Sequence, residues 1–127
     1  MTTRKQIRDW FVTELDDEAV LGKAYSSRVS HFEDDSPTKY VSIYITDMRY
    51  QDELNNPLSE ATLYIRFHTQ VGTDDELDEM EARADQLIAG AIGAAPFDLS
   101  KEGIAYEGSS DETYQELAVE YSVLYRE

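Results

Sequence analysis

Two histidines, His31 and His68, are where proton-transfer chemistry near neutral pH would first be sought. His68 falls on the polar side of an alternating run, beside Arg66. No serine-bearing elbow motif accompanies it, so a nucleophile–base–acid triad lacks its other members. It reads as a half-exposed strand histidine. His31 stands near Glu33 and Asp34, but a histidine–carboxylate metal site needs a third ligand that nothing nearby supplies. There is no cysteine, which removes thiol catalysis, thiolate metal sites and disulfide scaffolds together. The acidic runs Asp16-Asp17-Glu18, Glu33-Asp34-Asp35 and Asp74-Asp75-Glu76 lack the alternating oxygens and turn glycine of a calcium loop. They are read as solvated faces and helix caps, with at most weak Mg2+ or Ca2+ binding that screens like charges. Carboxylates are many, yet no apolar pocket in the sequence singles out a pair for glycoside chemistry. Gly90-Ala91-Ile92-Gly93 lies within or at the end of a helix and is no phosphate loop. The expectation is a protein without catalytic site or cofactor.

The elements that must position these residues follow from their periodicity. Thr3-x-x-Gln6 is a capping box, and Ile7, Trp10, Phe11 and Leu15 recur at spacings of three and four, so a helix with one apolar face is predicted. Gly22 stops it. A short, poorly patterned edge strand is expected within 24–32, then a loop over 33–37. From Lys39 to Asp47, Val41, Ile43 and Ile45 alternate with Tyr40, Ser42, Tyr44 and Thr46. Asn55, Asn56 and Pro57 mark a turn, after which Ala61, Leu63, Ile65, Phe67 and Val71 alternate with Thr62, Tyr64, Arg66, His68 and Gln70. The pair reads as an antiparallel hairpin. Its second strand, at ~3.3 Å per residue, spans about 35 Å, and a chain of this size has a compact diameter of about 36 Å. The connection from Tyr50 to Leu58 is therefore expected to project as an arm. Thr73-Asp74-Asp75-Glu76 is a second capping box. Leu77, Met80, Ala84, Leu87, Ile88, Ala91 and Ile92 continue it as an apolar helical stripe, with Gly93 as its C-terminal cap. Strands over 103–107 and 114–126 close the chain. The order α-β-β-β-α-β-β describes one α+β domain: a largely antiparallel, mixed sheet with two helices packed on one face.

Charge and tyrosine content narrow the function. The 127 residues carry 11 Lys and Arg against 27 Asp and Glu, a net charge of −16. Such a balance opposes nucleic-acid binding through phosphate neutralisation. No apolar run approaches the ~20 residues that span a bilayer, and the basic residues between Met1 and Arg8 precede no apolar stretch, so no signal peptide is expected. Nine tyrosines exceed what a core needs. Strands favour tyrosine, and interfaces are enriched in it; Tyr44 and Tyr64, with Arg66 and His68, are expected on the sheet face away from the helices. Arg4, Lys5 and Arg8 cluster where the helix dipole disfavours cations, whereas the helix after Thr73 is strongly acidic. Two such patches pair within one subunit or, head to tail, between identical neighbours, which closes a ring or runs on as a filament.

At this point the sequence resembles the tail terminator family of lambda-type long-tailed phages, also called minor tail protein U. The likeness lies in Phe32-Glu33-Asp34-Asp35-x-Pro37, Val41-x-Ile43-Tyr44-Ile45-Thr46, Tyr50, Glu53-Leu54 and Ala61-x-Leu63-x-Ile65. Asp75-Glu76-Leu77-Asp78 and Tyr121-Ser122-Val123-Leu124-Tyr125-x-Glu127 extend it, while the segment after Gly93 departs from the family pattern. The resemblance implies a virion protein, assembled in the host cytoplasm, that forms a hexameric ring on the completed tail tube. The ring stops tube polymerisation and offers its other side to head-completion or connector proteins. DNA then passes through without specific binding, which an acidic lumen favours. Six copies at −16 each repel, so salt, divalent cations or the tube end must offset that repulsion. Arg4, Lys5, Arg8, Arg49, Tyr50, Asp52, Glu53 and Leu54 are the expected subunit or tube contacts. The alternative is a small monomeric or dimeric protein-binding module that uses the tyrosine-rich face, with an enzyme of unrecognised type third.

Overall fold

The computed structural model describes residues 3–16, 19–26, 39–51, 58–69, 74–108 and 115–126, with the side chains of 50, 51, 107 and 108 excepted. The elements are α1 (Arg4–Leu15), β1 (Lys23–Tyr25), β2 (Lys39–Gln51), β3 (Leu58–Thr69), α2 (Asp74–Ala91), β4 (Phe97–Gly108) and β5 (Gln115–Arg126). They form the expected α+β arrangement, α-β-β-β-α-β-β. The sheet order is β1-β2-β3-β5-β4, with β1 parallel to β2 and every other pair antiparallel.

Each helix end has a local cause. Thr3 Oγ1 accepts from the Gln6 N–H at 3.2 Å, and Gln6 Oε1 accepts from the Thr3 N–H at 2.8 Å, closing the capping box. Asp16 ends α1, and its carboxylate accepts the Ala24 backbone N–H at 2.9 Å, tying the helix exit to β1. Gly22 has φ +76°, and a Cβ there would stand 2.4 Å from the Lys39 carbonyl oxygen. Only glycine fits that approach. Gly93 is not the cap of α2: the helix ends at Ala91, and Gly93 sits inside a 3-10 turn over Ile92–Ala94. Thr73, the expected N-cap, lies outside the described residues.

The core is helix laid on sheet. Ile7, Phe11 and Leu15 of α1 and Leu77, Met80, Ala84 and Ile88 of α2 join Val41, Ile43, Leu63, Ile65, Phe67, Leu117, Val119 and Val123 in one buried cluster. Leu87 packs against it half-buried. Both helices thus cover the same face, where alternate strand residues must bury their apolar side chains.

The strands differ in extent from the sequence expectation. β2 runs on to Gln51 because a bulge between Ile45 and Asp47 resets the alternation, so that Met48 instead of Asp47 faces the helices. β4 begins at Phe97, six residues earlier than expected, and carries its own irregularity between Lys101 and Gly103. β1 holds three residues, and 27–32 lies outside the described residues. β3 is bordered by β2 and β5 over its whole length, from Leu58, opposite Gln51 and Arg126, to Thr69, opposite Lys39 and Gln115. Within the described residues the hairpin therefore ends level with β5. The arm expected between Tyr50 and Leu58 falls on 52–57, outside them.

Candidate interaction surface

The face of the sheet away from the helices is a continuous polar and aromatic network. Pleating places Tyr40, Ser42 and Tyr44 of β2, Tyr64, Arg66 and His68 of β3, and Glu116 and Glu120 of β5 on that side. Tyr25 meets Tyr40 edge-on, with centroids 5.9 Å apart, and Tyr40 stacks on His68 at 4.1 Å. His68 Nδ1 lies 3.0 Å from Glu116 Oε1, and Arg66 NH1 donates to Glu116 Oε2 at 2.7 Å. The Arg66 Nε donates to the Tyr44 hydroxyl at 3.2 Å, Tyr44 stacks on Tyr64 at 5.6 Å, and the Tyr64 hydroxyl donates to Glu120 at 2.6 Å.

Burial corrects one expectation. His68 is 2% exposed, not half-exposed, and Tyr40 is equally buried. Alternation fixes the side on which a residue points; it does not fix depth. Burial alone would raise the Glu116 carboxyl pKa, but the hydrogen bonds and charges of His68 and Arg66 outweigh it and hold that pKa below its ordinary value. Glu120, as hydrogen-bond acceptor, raises the Tyr64 phenol above its usual range. His68 and Tyr40 are thus enclosed, whereas Tyr44, Tyr64 and Arg66 stay partly exposed. What the cluster does is tie β2, β3 and β5 together through Tyr44, Arg66, Glu116, Tyr64 and Glu120.

A second polar group bridges sheet and helix. Lys101 reaches Glu81 and, at 2.9 Å, Asp85 of α2; burial lowers its pKa, but the two carboxylates win and raise it. The Tyr106 hydroxyl donates to Asp78, which pushes that phenol up to about 12. Burial, then the Asp85 charge and hydrogen bond, raise Tyr121 as well.

The expected contact residues fall in two groups. Arg4, Lys5 and Arg8 occupy the first turns of α1, where no acid is present. Lys5 pairs with Asp9 one turn on. Arg4 is exposed and Arg8 half-buried, its Nε enclosed without a hydrogen-bond partner, and among the described residues neither enters an ion pair. Arg49 is exposed on β2, opposite Glu60, and Tyr50 lies opposite Ser59. Among the described residues no ion pair joins these two groups. Asp52, Glu53 and Leu54 lie outside the described residues, as do His31, Glu33 and Asp34. Sequence reasoning missed Glu116, Glu120 and the Lys101 pair, whose partners are distant in the chain. Among the described residues no group of three or more His, Asp or Glu side chains is placed to hold a metal, and no helix is long and apolar enough to cross a membrane.

A family model described as phage minor tail protein U matches residues 2–125. No individual curated protein matches the chain.

Proposed function

The chain belongs to the phage minor tail protein U family, and on that premise we propose that it is a tail terminator. Membership makes it a structural phage tail protein, a component of the virion whose partners are other tail or virion components. The finer reading is a homomeric, hexameric ring that caps the tail tube, stops its polymerisation and presents a surface to head-completion or connector proteins, with DNA passing through unbound. Assembly takes place in the host cytoplasm, without enzymatic activity or cofactor, and weak Mg2+ or Ca2+ binding aids it by screening.

The family match over nearly the whole chain carries this reading. The charge layout supports it: among the described residues Arg4 and Arg8 enter no ion pair, in a chain of net charge −16. A neighbour's carboxylates complete them. The alternative, a binding module working through its tyrosine face, draws less support, because Tyr40 stacks on His68, Tyr44 stacks on Tyr64 and accepts from Arg66, and the Tyr64 hydroxyl donates to Glu120. Electron microscopy of tails made with and without this chain tests the proposal. Tubes of uncontrolled, excess length in its absence are expected; tails of normal length that still join heads would refute it.

A further inference from the structure

We propose that a second copy of this chain pairs its β2 outer edge with the β4 outer edge of the first, head to tail, so that one sheet runs on from subunit to subunit. The inference rests on the ring-forming reading above and specifies its contact. At one margin of the sheet β4 is the last strand, and it shows Ile104 at 48% and Tyr106 at 52% exposure, the exposed large apolar side chains of the described residues. With the polar residues Asp98, Ser100, Lys101 and Glu102 beside these two apolar ones, the outer edge of β4 is a strand edge open to another strand. At the other margin β1 covers β2 only from Tyr40 to Ser42. Among the described residues, 45–51 have no neighbour on that side.

Direction and register agree. β2 and β5 run one way, β3 and β4 the other, so the outer edges at the two margins meet antiparallel in a head-to-tail contact. Following the pairing across the sheet, Asp98 is opposite Leu124, Leu124 opposite Glu60, and Glu60 opposite Arg49. Asp98 and Arg49 thus end the same cross-strand row on the same face. Both are exposed, and neither enters an ion pair among the described residues. The next row ends in Leu99 and Met48, both half-buried and both on the helix side. A neighbour set level along the stretch of β2 that β1 leaves uncovered therefore brings Asp98 beside Arg49 on one face and Leu99 beside Met48 on the other, while Tyr106, which ends the row of Val41 and Ala24, falls beside β1. A two-fold contact between two β4 strands would leave Arg49 unused and close as a dimer.

Because the chain lacks cysteine, cross-linking reads this contact directly. In one subunit positions 49 and 98 are separated by three strand spacings, about 14 Å, too far for a disulfide. Oxidised protein carrying both Arg49→Cys and Asp98→Cys is expected to give a ladder of covalent multimers, with each single variant giving none. The charge exchange Arg49→Asp/Asp98→Arg should recover the few-fold loss of self-association caused by either change alone. Dimers from Asp98→Cys alone would overturn the head-to-tail contact in favour of a two-fold one. If assembled particles form but the double variant stays uncross-linked and the exchange fails to recover, the edge pairing is wrong and the ring reading survives. If wild type forms no multimer, alone or on tail tubes, both fall.

Discussion

Tyr40 and His68 lie face to face on neighbouring strands, with ring centroids 4.1 Å apart and planes 14° from parallel. The stack seals the imidazole, and Glu116 closes its far side at 3.0 Å. Glu116 also takes Arg66 at 2.7 Å, so one carboxylate ties β5 to two side chains of β3. A sheet face with its polar groups used this way is a stiff platform.

Glu116→Gln should lower stability by about 1.5–3 kcal/mol at neutral pH, the value of a hydrogen bond to a charged group. The folded-state pKa of Glu116 is depressed, so its contribution is complete above the unfolded carboxylate range and is lost as pH falls through the folded value. Denaturation midpoints of wild type and variant should therefore converge on acidification. A gap that widens toward low pH would contradict the assignment.

Phe67 is 1% exposed beneath the helices. Phe67→Ala should cost about 3–5 kcal/mol by removing buried surface and leaving a cavity. Urea unfolding measures it, and an unchanged midpoint would remove Phe67 from the core.

The fold was largely legible because its apolar residues keep strict periods: Leu63, Ile65 and Phe67 at two, Leu77, Met80, Ala84 and Ile88 at three and four. Reading failed where the period slips. The bulge before Asp47 breaks the alternation, so the pattern ends there although Met48 resumes the inner row. In β4, Lys101 points to the helix side to meet Glu81 and Asp85, an inward charge that masks a strand. The network on the open face was half legible. Its side was predictable from pleating, but the partners of Arg66 and Tyr64 are Glu116 and Glu120, more than fifty positions away, and only strand pairing brings them together.

Gly22→Ala should destabilise the monomer by at least about 1–2 kcal/mol, since the left-handed backbone alone costs that much and the new Cβ meets the Lys39 carbonyl oxygen. Thermal melting tests this. A melt equal to wild type would mean that the link between α1 and β1 can rearrange freely.

Charge reversal at Arg4 and Arg8 should weaken assembly more than it weakens the monomer, because among the described residues neither side chain has an ion pair to lose. The difference should shrink as salt rises. Sedimentation of both forms across a salt series measures it, alongside a shortened 49–57 connection. If both variants assemble like wild type and stop tails at normal length, these positions are ordinary surface, where ion pairs are commonly worth under ~1 kcal/mol.

The terminator reading is tested most directly by native mass spectrometry of the protein bound to the ends of isolated tail tubes, with Mg2+ present. Six copies per tube end, with further tube growth arrested, are the predicted result. Tubes that keep growing with only single, unassociated copies of this chain in solution would contradict it.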